Sequence, residues 1–223
     1  MRNGIKTIFF DVGNTLLFPN RDVILAALAE RKTPPTLDEW RALECKTKRA
    51  FDATTKSDGT HDHSFWFTFY TSLLEQLESK DEALMDALLS ATRTSSNWCE
   101  IRPGTREAIE RIGKKYRTAV ISNADGKIHE VLGRCGIADC FESITDSGVV
   151  GYEKPHPAIF EAALEKMKAA PEESLYVGDV YSVDYLGATG AGMGAMILDV
   201  CGAYTDAGIP RVASLEELEE KLR

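Results

Sequence analysis

Residues 5–17 read IKTIFFDVGNTLL, an apolar run that ends on a single acid, Asp11, and turns at Gly13 and Asn14. The run has the length and residue types of a buried strand, and the GNT triplet breaks it. Whether Asp11 marks a functional edge depends on what the rest of the chain brings beside it.

Beyond residue 20 the texture becomes helical. RDVILAALAERK (21–32), TLDEWRALECKTKRAF (36–51), SFWFTFYTSLLEQLES (64–79) and DEALMDALLSATR (81–93) all carry helical periodicity, with no convincing strand between them. Thr36 and Glu39 form a capping-box pattern at the head of the second segment. Four successive helices predict an inserted helical module. After residue 100 strands and helices alternate: RTAVIS (117–122), FESIT (141–145), SLYVGD (174–179) and GAMILDV (194–200) read as strands. Between them, GKIHEVLGRCG, HPAIFEAALEKMKAA and YSVDYLGATGAG read as helices, with Pro157 near a first helical position and a Ser214/Glu217 capping box on the last helix. This alternation predicts a parallel sheet covered on both faces. Ligands in such sheets bind beyond the carboxyl ends of the strands, where Asp11, Ser122 with Asn123, and Asp179 all fall.

Composition narrows the partners. The chain has 223 residues, 43% of them apolar, enough for a sizeable core. Its 26 basic and 35 acidic residues leave a net charge of −9, which disfavours nucleic acid and anionic membranes as partners and leaves a small anionic substrate open. The five cysteines form no C-x-x-C pair and read as reduced thiols. No apolar run approaches the ~20 residues needed to span a bilayer, so a cytoplasmic protein is expected.

The acids at the strand ends suggest a chemistry. Asp184 follows Asp179 by about one helical turn, and clustered carboxylates repel unless a cation compensates. Magnesium suits such an all-oxygen site and commonly takes one or two carboxylates plus a substrate phosphate. Lys154, in GYEKPHP before a helix, supplies a further positive charge. An aspartate stays ionised at neutral pH and can attack phosphorus without a helper base. Ser122 and the backbone N–H groups beside it are placed to hold a phosphate oxygen.

Four stretches, FFDVGNTLL, AVISNADGK, VVGYEKPHPAIF and SLYVGDVYSVDYLGA, resemble in order and spacing the four motifs of the haloacid dehalogenase (HAD) superfamily of hydrolases. The resemblance covers residues 5–17 and roughly 100–200. It implies an α/β fold: a three-layer, Rossmann-like parallel-sheet core formed by residues 1–17 and 98–223, with an inserted α-helical cap at 18–97. It also implies a Mg2+-dependent phosphatase of a small phosphorylated metabolite. Asp11 would be the nucleophile and a metal ligand. The Gly13 backbone carbonyl, Asp179 and Asp184 would complete the metal site. Ser122 and Asn123 would bind phosphate, and Lys154 would steady both the nucleophile and the phosphate.

One position departs from the pattern. Phosphatases of this superfamily usually carry a second aspartate two residues after the nucleophile, as general acid and base, and Gly13 stands there. Such help is typically worth about 10²–10⁴-fold. Its absence leaves three alternatives: a leaving group that needs no proton, a replacement acid from the cap or from Asp125, or a catalytically weak protein that binds a ligand or partner. A dehalogenase or phosphonatase reaction also stays open. Elsewhere, His61–His63 read as a solvated loop, FWFTFY (65–70) as helix core, GATGAGMG as small-residue packing, and EELEEK as a solvated helix face.

Overall fold

A computed structural model of the chain describes residues 4–55 and 63–223. The HDH stretch, expected to be a solvated loop, falls mostly outside them; His63 is exposed and stacks on Phe67.

The opening run forms β1 (Thr7–Phe10), buried at every residue. It lies in a six-stranded sheet with β4 (Arg117–Ser122), β5 (Ser143–Asp146), β6 (Ser174–Gly178), β7 (Gly194–Leu198) and β8 (Arg211–Val212). The order is β5-β4-β1-β6-β7-β8, and every pairing is parallel. Side chains on a strand alternate between faces, so the central strands feed two cores. Ile8, Phe10, Val120, Leu175 and Val177 pack on one face, while Phe9, Ala119, Ile121 and Tyr176 pack on the other. Helices α6 (Thr105–Gly113), α7 (Ile128–Arg134) and α11 (Leu215–Lys221) contribute to the first core. Helices α9 (Pro157–Met167) and α10 (Leu186–Gly190) contribute to the second. The three-layer α/β architecture expected from the alternation is therefore present, and it is Rossmann-like.

Between β1 and β4 the chain builds a second body. Helices α1 (Arg21–Ile24), α2 (Ala26–Ala29), α3 (Leu37–Ala53), α4 (Phe65–Gln76) and α5 (Glu82–Arg93) share their own apolar cluster, centred on Trp40, Phe69, Tyr70, Leu73, Leu84 and Leu88. The aromatic run 65–70 supplies much of that core, as expected. Thr36 and Glu39 exchange the side-chain-to-backbone bonds of a capping box. At the last helix Ser214 caps the Glu217 N–H, but the Glu217 carboxylate reaches the Ala213 N–H instead of the cap's own.

Three local features differ from the sequence reading. The first helical segment is two short turns, α1 and α2, meeting at Leu25. Residues 181–192 begin with a π-helical turn at Tyr181–Tyr185 before α10. A two-stranded antiparallel ribbon, β2 (Leu17–Pro19) with β3 (Trp98–Ile101), joins both ends of the helical body to the sheet. LFP ends on a proline and WCEI is largely exposed with no alternation, so pattern reading passes over them. Among the described residues no helix is long and apolar enough to cross a membrane, and all five cysteines are free thiols.

Candidate active site

Register explains why the motif acids meet. Phe10 pairs with Val120 on one side and Val177 on the other, so β1, β4 and β6 end at the same level. The Asp11 N–H extends the ladder by one bond, to Val177 O at 2.8 Å. The chain then turns back: the N–H groups of Leu16 and Leu17 reach Val12 O, and Asn14 adopts a left-handed φ of 54°. Asp11 is thereby held at the sheet edge, 7% exposed.

Lys154 reaches this edge from the loop before α9. Its ammonium donates to Asp11 Oδ1 at 2.6 Å, Asp184 Oδ1 at 2.7 Å and the Tyr176 hydroxyl at 2.7 Å. The Lys154 backbone is clamped in turn by Asn123: Lys154 N–H donates to Asn123 Oδ1, and the Asn123 amide donates to Lys154 O. The Asn123 side chain is thus committed to positioning the lysine. The hydroxyl of Ser122, a residue 3% exposed at the end of β4, makes no hydrogen bond among the described residues and remains available.

Asp184 organises the loop after β6. Its Oδ2 accepts from the Asp179 and Val180 N–H groups, both at 2.9 Å. That approach needs a glycine at 178, since a Cβ there would lie 2.4 Å from the Asp184 carboxyl carbon. Oxygens of Asp11, Asp179 and Asp184 come within 4.8 Å of one another. Asp179 Oδ2 is buried and stands 2.7 Å from an ammonium group.

That ammonium belongs to Lys48, which the sequence reading missed. It projects from α3 to within 2.7 Å of Asp179 and 2.9 Å of Glu44, and it is 1% exposed. Nearby, Asp52 accepts from the Ser182 N–H and the Tyr204 hydroxyl, while Arg49 donates to the Ala203 and Gly202 carbonyls. One face of α3 is therefore fastened over the sheet edge. The signal was present: positions 40, 43, 44, 47, 48 and 51 form the buried stripe of α3, and two of them are charged. A Glu–Lys pair at i,i+4 reads as surface decoration when its position on the stripe is ignored.

Four buried carboxylates, Asp11, Glu44, Asp179 and Asp184, face two buried ammonium groups, Lys48 and Lys154. The site lacks two positive charges. Burial pushes the Asp11 carboxyl up to about 6, with Lys154 opposing the shift and Asp184 adding to it. Burial raises Asp179 to about 7, against Lys48 and with Asp184 and Asp11. Burial alone would lower both lysines, but the carboxylates outweigh it and hold each ammonium above its usual range. Tyr176, buried beside Asp184 and Asp11, is likewise raised and keeps its proton. A divalent cation fits this donor set in charge, in its all-oxygen chemistry and in the convergence of three buried carboxylates within 4.8 Å.

Gly13 is closely overlain. A Cβ there would stand 3.3 Å from the ring of Trp98, which is buried and tied through Nε1 to Thr92 O. Asp125 does not offer a proton donor in place of the missing acid. Its carboxylate accepts from the Ser95 hydroxyl and N–H, and those bonds outweigh burial to hold it below its ordinary range, ionised.

Comparison with known proteins agrees with this architecture. Residues 5–192 match the model of the haloacid dehalogenase-like hydrolase family. The chain is 31% identical over 205 residues to a glyceraldehyde 3-phosphate phosphatase of Methanothermobacter thermautotrophicus, covering 87% of this chain and 86% of that one. It is 37% identical over 207 residues to the human haloacid dehalogenase-like hydrolase domain-containing protein 3, covering 87% and 82%. Among solved structures, a putative HAD-hydrolase of Bacillus subtilis bound to magnesium superposes with a TM-score of 0.71 at 19% identity, covering 98% of this chain and 99% of that one. A six-stranded parallel sheet with its acids gathered at one edge and a family match over most of its length place this chain in the haloacid dehalogenase-like hydrolase family.

Proposed function

We propose that this hydrolase is a Mg2+-dependent phosphatase of a small phosphorylated metabolite, working through an aspartyl-phosphate on Asp11. The observation that carries the reading is the Lys154 ammonium between Asp11 and Asp184, in a buried carboxylate cluster short of two positive charges. The phosphatase names of relatives from Methanothermobacter and Pyrococcus support the substrate class. Asp11, Asp179, Asp184 and the Gly13 carbonyl would hold the metal. When bound, it supplies positive charge against the phosphoryl oxygens and lowers the repulsion between two anions.

The protein's own groups do the rest. Lys154 occupies Asp11 Oδ1 and leaves the other oxygen to attack phosphorus. The bond from phosphorus to the ester oxygen breaks, and the leaving alcohol takes its proton from water, since Gly13 offers none. Water then attacks the phosphorus, breaks its bond to Asp11, and regenerates the carboxylate with release of inorganic phosphate. The free Ser122 hydroxyl and the Asn123 N–H hold phosphoryl oxygens, while the next N–H, of Ala124, is already given to Ser147 Oγ. Residues 18–97 act as a cap that excludes water over a core of 1–17 and 98–223. Free thiols suit a reducing, cytoplasmic setting.

The test is release of phosphate from an aryl phosphate with magnesium, and its loss on chelation and in Asp11→Asn. Lys48 favours one second reading, a catalytically weak protein in which that ammonium neutralises Asp179 and ligands bind without turnover. Phosphate analogues bound by calorimetry, with no turnover across a substrate panel, would select it.

A further inference from the structure

A cavity of about 500 Å³ opens between α3 and the ribbon β2–β3, bordered by Asn14 of the first motif, Phe18, Trp40 and Val200. Three guanidinium groups line it: Arg21, Arg41 and Arg102. Neither Arg21 nor Arg102 has a carboxylate partner among the described residues. The half-buried Arg102 guanidinium stacks 4.0 Å over the Phe18 ring and makes no hydrogen bond or ion pair among the described residues. After burial itself, the strongest charge acting on it is the like charge of Arg41, offset by Glu44 and Glu216. Arg41 has only the exposed Asp38, at 3.8 Å. Arg21 rests beside the Trp40 ring, donates to the Pro35 carbonyl, and keeps a buried Nε without an acceptor. Elsewhere Arg106, Arg111 and Arg117 each hold a carboxylate at 2.6–2.8 Å.

Acids also line the cavity, but they do not complete these arginines. Glu44 is engaged by Lys48, while Asp22 and Glu100 are exposed. The half-buried Arg102 and the more exposed Arg41 carry like charges at one cavity, and an anion between them turns their repulsion into attraction. The cavity also has the right place. Its inner wall includes Glu44, whose partner Lys48 touches Asp179 at the carboxylate cluster.

We infer that this cavity is a second anion subsite, in which Arg102 with Arg41 binds a carboxylate or phosphate at the end of the substrate remote from the transferred phosphoryl group. The inference rests on the phosphatase reading for its substrate and adds that the substrate carries two anionic ends. A planar guanidinium matches either oxyanion in a forked, two-bond geometry, which a neutral hydroxyl or aldehyde end does not repay.

Three small phosphates make the test: 3-phosphoglycerate and propane-1,3-diol bisphosphate, each with a second anion, and glycerol 3-phosphate, with none. The full chain with magnesium should show kcat/KM about 10- to 100-fold higher for one or both anion-tailed compounds, the span expected for a charged hydrogen bond. Which of the two is preferred names the anion. Arg102→Gln should collapse that ratio toward one. Equilibrium binding to Asp11→Asn should show the same order of preference without any turnover. A wild-type ratio near one in both measurements, or a ratio that survives Arg102→Gln, overturns the subsite. Turnover of p-nitrophenyl phosphate by the wild type, lost in Asp11→Asn, reports on the phosphatase reading alone, so the two failures are distinguishable.

Discussion

Lys48→Met removes a charge while keeping the length of an unbranched side chain, and so isolates the contact between α3 and the carboxylate cluster. The ammonium sits 2.7 Å from Asp179 and 2.9 Å from Glu44, with side-chain exposures of 1%, 6% and 10% for the three groups. Solvent screening is therefore slight. Removing one member of a buried pair strands its partner, a loss of about 3–5 kcal/mol. For a chain of this size each kcal/mol moves Tm by about 2–4 °C, so the metal-free variant should melt about 6–20 °C below wild type. Losing the ammonium raises Asp179 further, so its protonation limits the loss as pH falls, and the gap should narrow on the way down to the wild-type pKa of about 7. Magnesium meets a competing ammonium at Asp179 in the wild type and none in the variant, so it should recover more Tm in Lys48→Met. Thermal unfolding by circular dichroism, with chelator and then with magnesium, reads both effects. A double-mutant cycle with Glu44→Gln apportions the loss between the two carboxylates. A drop below about 2 °C, or equal gains from magnesium, would refute the reasoning.

Gly13→Asp should not simply install the missing acid. The added Cβ meets the Trp98 ring at 3.3 Å, so urea unfolding should show a loss of about 1–3 kcal/mol. Any rate gain should favour alkyl phosphates over aryl phosphates, whose leaving groups need no proton; equal gains would remove the argument. For pH, Asp179 rises from an ordinary 3.8 to about 7 in the metal-free fold, so between those values the folded state holds more protons than the unfolded one. Relative to Asp179→Asn, wild-type stability in chelator should therefore fall as pH rises through this window, by up to about 4 kcal/mol. Parallel stability curves would contradict that shift. Asn123→Ala loses both bonds to the Lys154 backbone and should lower kcat about tenfold or more, in line with 1–3 kcal/mol per unsatisfied buried group. An unchanged kcat would show that Lys154 needs no such clamp.

The sheet was legible because its strands are short, apolar and punctuated, and because two of the site acids stand immediately beyond one. Asp11 and Asp179 follow from that rule alone, and parallel register then brings them level. The helical body was equally readable, since periodicity over 12–17 residues is a strong signal. The cross-body contacts were not. Lys48, Asp52 and Arg49 act on residues more than a hundred positions away, and nothing local to α3 says what its buried stripe faces. Asn123 shows the same limit in another way. Its place beside Ser122 suggested a phosphate ligand, whereas its side chain closes two bonds on the Lys154 backbone, a partner 31 residues on. The close neighbour of Gly13 was also distant in sequence: the ring of Trp98, brought there by the ribbon β2–β3.

The central claim is that Asp11 carries the phosphoryl group. Rapid acid quench during turnover of a phosphate ester with magnesium, followed by peptide mass spectrometry, tests it directly. The account predicts one added phosphoryl group on the peptide containing Asp11, absent without magnesium and absent from Asp11→Asn. Steady phosphate release with no modification at Asp11, or undiminished turnover by Asp11→Asn, would contradict it.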